Sequence, residues 1–304
     1  MNARNPETTT ALFALTSQQS PTPRARRGGW SWGPVEGAKL RVLSLGAGIQ
    51  STTLALMAAQ GEIGPMPDCA IFADTGDEST PTLETVAWLS SGNVLPFPIH
   101  RVSAGRKISD DIRLRATEGP GGSRRFASAP FFTGNGGRGR RQCTREFKIE
   151  PIEKEQRRLA GYLPRQIMPK GTVEVWIGIS LDEVVRAGAA FARWAVHRHP
   201  LLEKRMTRQD CVAWLRRHDY PVPEKSACIF CPNRTDFEWR RLKERDPASF
   251  AAAVEIDALC RQAPGMRHQE FVHASRRPLA EIDFSSAEDR GQGMLDICEA
   301  GCGL

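Results

Sequence analysis

Before residue 200 the apolar positions of this chain come in short runs, and after it they fall at helical spacing. "LRVLSLG", from Leu40, reads as a buried strand that opens into a turn of small residues and hydroxyls. "IQSTTLALMAA" then continues as a helix. "CAIFADTG" is a second buried strand, ending at Asp74-Thr75-Gly76, and "STPTLETVAWLSS" has a Ser/Thr start and one apolar helix face. "VLPFPIHRV" is a third strand, weakened by Pro96 and Pro98. "VEVWIGIS" is a β-branched strand followed by "LDEVVRAG". Alternation of this kind predicts an α/β fold, a parallel sheet with helices on both faces. Beyond Pro200 the segments "MTRQDCVAWLRRH", "RTDFEWRRLKERD" and "PASFAAAVEIDALCRQ" predict helices. Thr207 and Asp236 suit their N-caps, and Pro247 suits a first turn.

This pattern divides the chain. Residues 1–38 carry no sustained period and read as a flexible N-terminal arm. Residues 39–200 form the α/β unit and 201–304 a helical region with a cysteine-containing tail. Within 101–145 the texture changes to a glycine-rich basic loop. Its cations include Arg101, Arg106, Arg113, Arg115, Arg124, Arg125, Arg138, Arg140, Arg141 and Arg145, against Asp110, Asp111 and Glu118. A loop this long and basic is functional or disordered.

Charge and cysteines then narrow the partners. The 304 residues carry a formal charge of +7, which favours anionic partners such as nucleotides or nucleic acid. No apolar run reaches the length of a membrane helix and the first residues lack a signal pattern, so a cytoplasmic location is expected, with no membrane partner. Eight cysteines in such a chain suggest metal, cluster or redox chemistry for the grouped ones. Cys69 and Cys260 read as core, and His273 as a structural histidine.

A strand that runs through a small-residue turn into a helix start is an anion site, because unpaired helix N–H groups point outward there. Ser44, Gly46, Ala47, Gly48, Gln50, Ser51 and Thr52 line this turn. It matches neither the Walker loop nor the dinucleotide fingerprint; a plain tight turn is the alternative.

"SLGAGIQSTTL" resembles the PP-loop of adenine nucleotide α-hydrolases, whose usual form is Ser-Gly-Gly-x-Asp-Ser. Here Gly46 stands at the first Ser and Gln50 at the Asp, departures similar to the phosphoadenosine phosphosulfate (PAPS) reductase-like branch. "IFADTGDE", "RQCTREFKIEPI", "WIGISLDEVVR", "PEKSACIFCPNRTDFEW" and "CEAGCGL" also look like that branch, in order over roughly residues 40–304.

The resemblance implies an adenine nucleotide α-hydrolase-like fold of the HUP type. It implies a pocket that includes Asp74, Thr75 and Gly76, with an Asx turn as the alternative, and Gly178, Ser180, Asp182, Glu183 and Arg186. Glu183 and Arg186 also suit an i,i+3 ion pair. It implies a set of metal ligands, Cys143, Cys211, Cys228 and Cys231, for a [4Fe-4S] cluster or for zinc. Cys302 is implied as a catalytic thiolate, with Asp74 and Arg186 beside it; pairing with Cys298, a cluster ligand and an unreactive tail stay open. The expected activity is ATP-dependent adenylation and sulfur transfer to DNA or RNA. A PAPS or adenosine phosphosulfate (APS) reductase releasing sulfite and a zinc-containing nucleic-acid module are the alternatives. Magnesium, a cysteine desulfurase or thioredoxin-like partner and a homodimer complete the expectation.

Overall fold

The structure, a computed structural model, describes residues 27–118, 129–262 and 268–285. In chain order its elements are β1 (Gly29–Ser31), β2 (Leu40–Leu45), α1 (Ile49–Ala59), β3 (Cys69–Asp74), α2 (Thr80–Leu89), β4 (Ile99–Ser103), α3 (Ile108–Glu118) and β5 (Phe132–Thr133). There follow α4 (Glu150–Leu159), β6 (Val173–Ile177), β7 (Ala195–Arg198), α5 (Pro200–Glu203), α6 (Arg208–Arg217), α7 (Asp236–Arg245), α8 (Pro247–Gln262) and β8 (Glu270–Phe271).

Six strands form one sheet in the order β1-β7-β6-β2-β3-β4, each neighbour parallel. The period of two along its strands builds a core on each face. Leu43, Leu45, Ala70, Phe72 and Trp176 point into one core, with α1, α2 and α6. Val42, Cys69, Ile71, Val173 and Val175 point into the other, with Leu159 and Ala160 at the end of α4. The chain is therefore an α/β protein whose sheet is covered on both sides. Among the described residues no helix is long and apolar enough to cross a membrane.

Three local expectations change. Part of the segment read as an arm is β1, too short to show a period and held by pairing with β7 from Gly29↔Val196 to Ser31↔Arg198. The segment 101–145 is not one loop, since it contains the end of β4, α3 and β5. Its cations are drawn to distant carboxylates: Arg101 to Asp74 at 2.6 Å, Arg106 to Glu146 at 3.2 Å, Arg113 to Glu255 at 3.1 Å, and Arg115 to Glu270. The N-cap of α7 is Thr235 rather than Asp236, because Thr235 lies three residues before Glu238 and forms a reciprocal capping box with it.

A third core joins these regions. Ile108 and Ile112 of α3, Phe131 and Phe147 pack with Phe230, Trp239, Cys260, Val272 and Leu279. The sheet itself encloses a charge: Glu174 on β6 is fully buried and faces Arg198 of β7 at 3.4 Å.

Candidate functional site

The strand order reverses at β2, with β3 and β4 laid on one side and β6 and β7 on the other. In open parallel sheets the crevice outside the carboxyl ends at such a point is where ligands bind. Here the turn after β2 and the turn after β6 meet at that point.

The turn after β2 is Gly46-Ala47-Gly48. Ala47 sits in the left-handed region at φ 57° and is fully buried. Gly48 begins α1, and no side chain caps this helix start. The Ser51 hydroxyl ties the turn together, accepting from Gly46 N at 3.2 Å and donating to Gly48 O at 3.3 Å. No acidic residue lies in the first turn of α1, so the positive end of the helix dipole is uncompensated and suits an anion.

Gly178 closes this turn from β6. A methyl group there would lie 2.9 Å from Ser51 N and 3.0 Å from its Cα, so only glycine lets the two turns meet. Beyond it, Leu181–Arg186 forms a 3₁₀ turn. Gln50 Nε2 donates to Ser180 Oγ at 3.3 Å and to Glu183 Oε2 at 3.4 Å, and Glu183 also pairs with Arg186 at 2.5 Å. Burial pushes Asp182 up, but hydrogen bonds from Ser180 and from Arg208 N outweigh it and hold its carboxyl below the ordinary range.

The end of β3 supplies the other wall. Asp74 makes an Asx turn, accepting from Gly76 N at 2.8 Å, and it also holds Arg101. Gly76 has φ 76°, and a side chain there would meet Lys107 Cγ at 2.5 Å. Thr75 is buried, with its hydroxyl 3.1 Å from Glu78 Oε1 and 3.3 Å from Cys228 Sγ. Glu78 pairs across an isolated bridge with Cys228 and holds Lys148 Nζ at 3.1 Å. Its second oxygen is buried without a hydrogen-bond partner.

The Cys228–Cys231 turn therefore packs on the same end of the sheet as the glycine turn. Ser226 also reaches it: a side chain at Gly48 would touch Ser226 at 3.6 Å. Burial pushes the Cys143 and Cys228 thiols up, and each also feels Cys231. Burial pulls Lys148 down, yet Glu78 and then Cys228 hold its ammonium above the ordinary range. Ser226, Glu78, Lys148 and Arg234 were not legible as site residues. Glu78 stands within "IFADTGDE" and Arg234 within "CPNR", but only the fold sets them beside the thiols.

Cys211 is not brought to this group. It is fully buried in the core between α1 and α6, beside Thr53, while Cys143 and Cys228 border the third core. Among the described residues no three His, Cys, Asp or Glu side chains are grouped closely enough to hold a metal ion. Of the four candidate ligands, Cys143 and Cys228 each lie near enough to Cys231 to feel its charge, and a tetrahedral zinc or a cubane cluster takes about four soft donors. Cys298 and Cys302 lie outside the described residues, as do Arg124 and Arg125. Of the remaining basic candidates, Arg138 turns to Pro130 O at 3.1 Å and to Asn233, and Arg141 holds Thr144 at 2.9 Å; Arg140 is exposed. His273 bonds Asp236 at 3.0 Å and Ser275 at 2.9 Å, a local structural arrangement at the start of α7.

No protein-family model and no curated protein matches the chain. The arrangement itself offers backbone N–H donors at the start of α1, beside Gly178 and the Leu181–Arg186 turn. A thiol-bearing turn completes it at the end of β3.

Proposed function

We propose that the chain is a PP-loop enzyme of the PAPS reductase-like kind, with an adenine nucleotide α-hydrolase-like fold. It binds an adenine nucleotide in the crevice between the turns after β2 and β6. One observation carries this reading. The uncapped start of α1 lies at the point where strand order reverses, and Gly178 is pressed against its first turn. That combination supports an anionic ligand of phosphate size.

The reaction proposed is ATP-dependent sulfur transfer. An oxygen of a nucleic-acid acceptor attacks the α-phosphate, pyrophosphate leaves, and a donor's sulfur then displaces the adenylated oxygen. The chain's own residues bind and orient. The first N–H groups of α1 face the phosphates and stabilise the charge that develops on them, while the Ser51 hydroxyl holds the turn in shape. Gln50 fixes the Leu181–Arg186 turn against α1, and Arg186, half released to solvent, reaches outward from Glu183. Asp74 is held by Arg101 and its own turn, so its role in this reading is to shape the wall.

The test is calorimetric titration of the full chain with ATP and with PAPS, followed by assay of AMP and pyrophosphate in the presence of oligonucleotide and of sulfide as the sulfur donor. Binding of ATP with release of both products supports the reading. A folded chain that binds neither nucleotide removes it. The visible spectrum and the iron and zinc content of anaerobically purified protein test the cluster separately.

A further inference from the structure

We propose that the outer edge of the sheet carries a stacking platform for single-stranded nucleic acid, and that this platform holds the acceptor of the reaction proposed above. The inference rests on that reading for its role, but its observations are independent of the nucleotide crevice. Trp30 on β1 and Trp32 just beyond it are 43% and 67% exposed. Their ring centroids are 5.6 Å apart with planes tilted by 37°. Trp30 is steadied by His199, edge-on at 5.4 Å. Two indoles left in solvent side by side forgo the burial that such rings ordinarily gain. Spaced by two along an extended segment, they share one side of it.

Cations flank the pair. Arg27 is exposed just before β1, and Arg193 is exposed on the loop whose Ala190 O accepts from Gly28 N at 3.0 Å. Past the other end, Glu203 accepts from Gly33 N at 2.9 Å, and the next residues, Lys204 and Arg205, are both exposed. Aromatic rings bordered by cations along a line suit unpaired bases stacked on the rings and phosphates drawn to the charges. Duplex DNA hides its bases and would use the charges alone.

The platform also faces the right way. All strands of the sheet are parallel, so Trp32 lies at the same carboxyl edge as the start of α1. Three strand spacings of about 4.8 Å separate β1 from β2, about 14 Å, a span of a few nucleotides. The surface between is continuous: Leu181 N donates to Met206 O at 2.8 Å, just after Arg205, and the Leu181–Arg186 turn leads to Gln50.

The experiment uses the full chain with fluorescently labelled short oligothymidylate and oligouridylate, at about 50 mM and about 200 mM salt. Trp30→Ala, Trp32→Ala and the double variant are compared with Trp32→Phe, with ATP affinity and oligomeric state measured on every sample. Each alanine variant should lose about 5- to 150-fold in oligomer affinity, the loss of one base stack. Trp32→Phe should keep most of it, and ATP affinity should not move. Oligomer affinity unchanged in the double variant overturns the platform. So does a wild type that binds ATP but no oligomer at low salt. A wild-type dimer that the double variant dissociates, with oligomer affinity untouched, would make this edge a contact between copies and overturn it too. A wild type that binds oligomer through the tryptophans but no ATP would leave the platform standing and remove the nucleotide reading.

Discussion

Glu174→Gln exchanges a single atom at the centre of the sheet and should cost about 3–5 kcal/mol of stability. Both carboxylate oxygens of Glu174 face donors only. Oε1 accepts from Trp176 Nε1 at 2.6 Å and from Arg198 Nη1 at 3.4 Å. Oε2 accepts from Val35 N at 2.7 Å and lies 3.5 Å from Arg41 Nε. A glutamine amide must turn its NH₂ toward one pair, leaving either the indole N–H or the Val35 N–H against another donor. An unmatched buried donor costs about 1–3 kcal/mol. The lost charge adds to this, because the Arg198 side chain is only 5% exposed and keeps Glu203 as its one remaining carboxylate. Native domains hold only about 5–15 kcal/mol in total, so the loss is large. Equilibrium unfolding in urea measures it, with the midpoint expected to fall by about 1–2 M at an unchanged slope. Glu174→Leu combined with Arg198→Met should recover much of the loss, since a buried ion pair replaced by apolar side chains is often neutral. A midpoint shift worth less than about 1 kcal/mol in Glu174→Gln would refute the reasoning, because it would mean that water reaches the pair.

Gly178→Ala should weaken ATP binding by more than about tenfold through the forced shift of α1, whereas Gly48→Ala, whose nearest neighbour is Ser226 at 3.6 Å, should fold as wild type; calorimetry of both checks this. Burial pushes the Cys69 and Cys211 thiols up to about 12. The unfolded chain ionises first, so their contribution to stability is complete below about pH 8.5 and should fall as pH rises toward 12. Thermal melts of wild type and Cys211→Ala across that window should show a shallower decline in the variant. Arg140→Ser and Arg141→Ser should each reduce the slope of log affinity for an oligonucleotide against log salt by about one. Arg138→Ser should instead lower the unfolding midpoint, because Arg138 lies over Phe132 at 4.7 Å and bonds Pro130.

The strand, turn and helix from Leu40 to Ala59 were legible because a strand covered on both faces needs an unbroken apolar run and a glycine turn stands out beside it. The end of β3 was legible for the same reason, and the Asx turn at Asp74 is the alternative that the sequence offered beside the pocket. Cys211 was grouped with Cys143, Cys228 and Cys231 through the motif resemblance, and the structure sets it in the core between α1 and α6. Its helical position gives a face but not the core that the face meets, and that core is built by α1, some 160 residues earlier. The helix and the ion pairs within 101–145 were not legible because several of its carboxylate partners, Asp74, Glu146, Glu255 and Glu270, lie outside it. Glu174 sat unremarked inside "VEVWIGIS", since a charge within a strand signals nothing until Arg41, Arg198 and Val35 N surround it.

The parallel pairing of β1 with β7 sets an order of events during synthesis. Gly29 must wait for Val196, about 170 residues later, and at ordinary rates of translation that wait lasts roughly 10–30 s. The trio of β2, β3 and β4 at one end of the sheet can pair meanwhile, but its β6 side stays open until Val173–Ile177 is made, and the tryptophan-bearing segment has no strand to lie against until β7. A ribosome that stalls before residue 173 would thus present a half-sheet with a bare β2 edge, a template for pairing with other chains. Chains interrupted there should accumulate as aggregates, whereas removal of the first 31 residues should leave the remaining five strands able to close in one step.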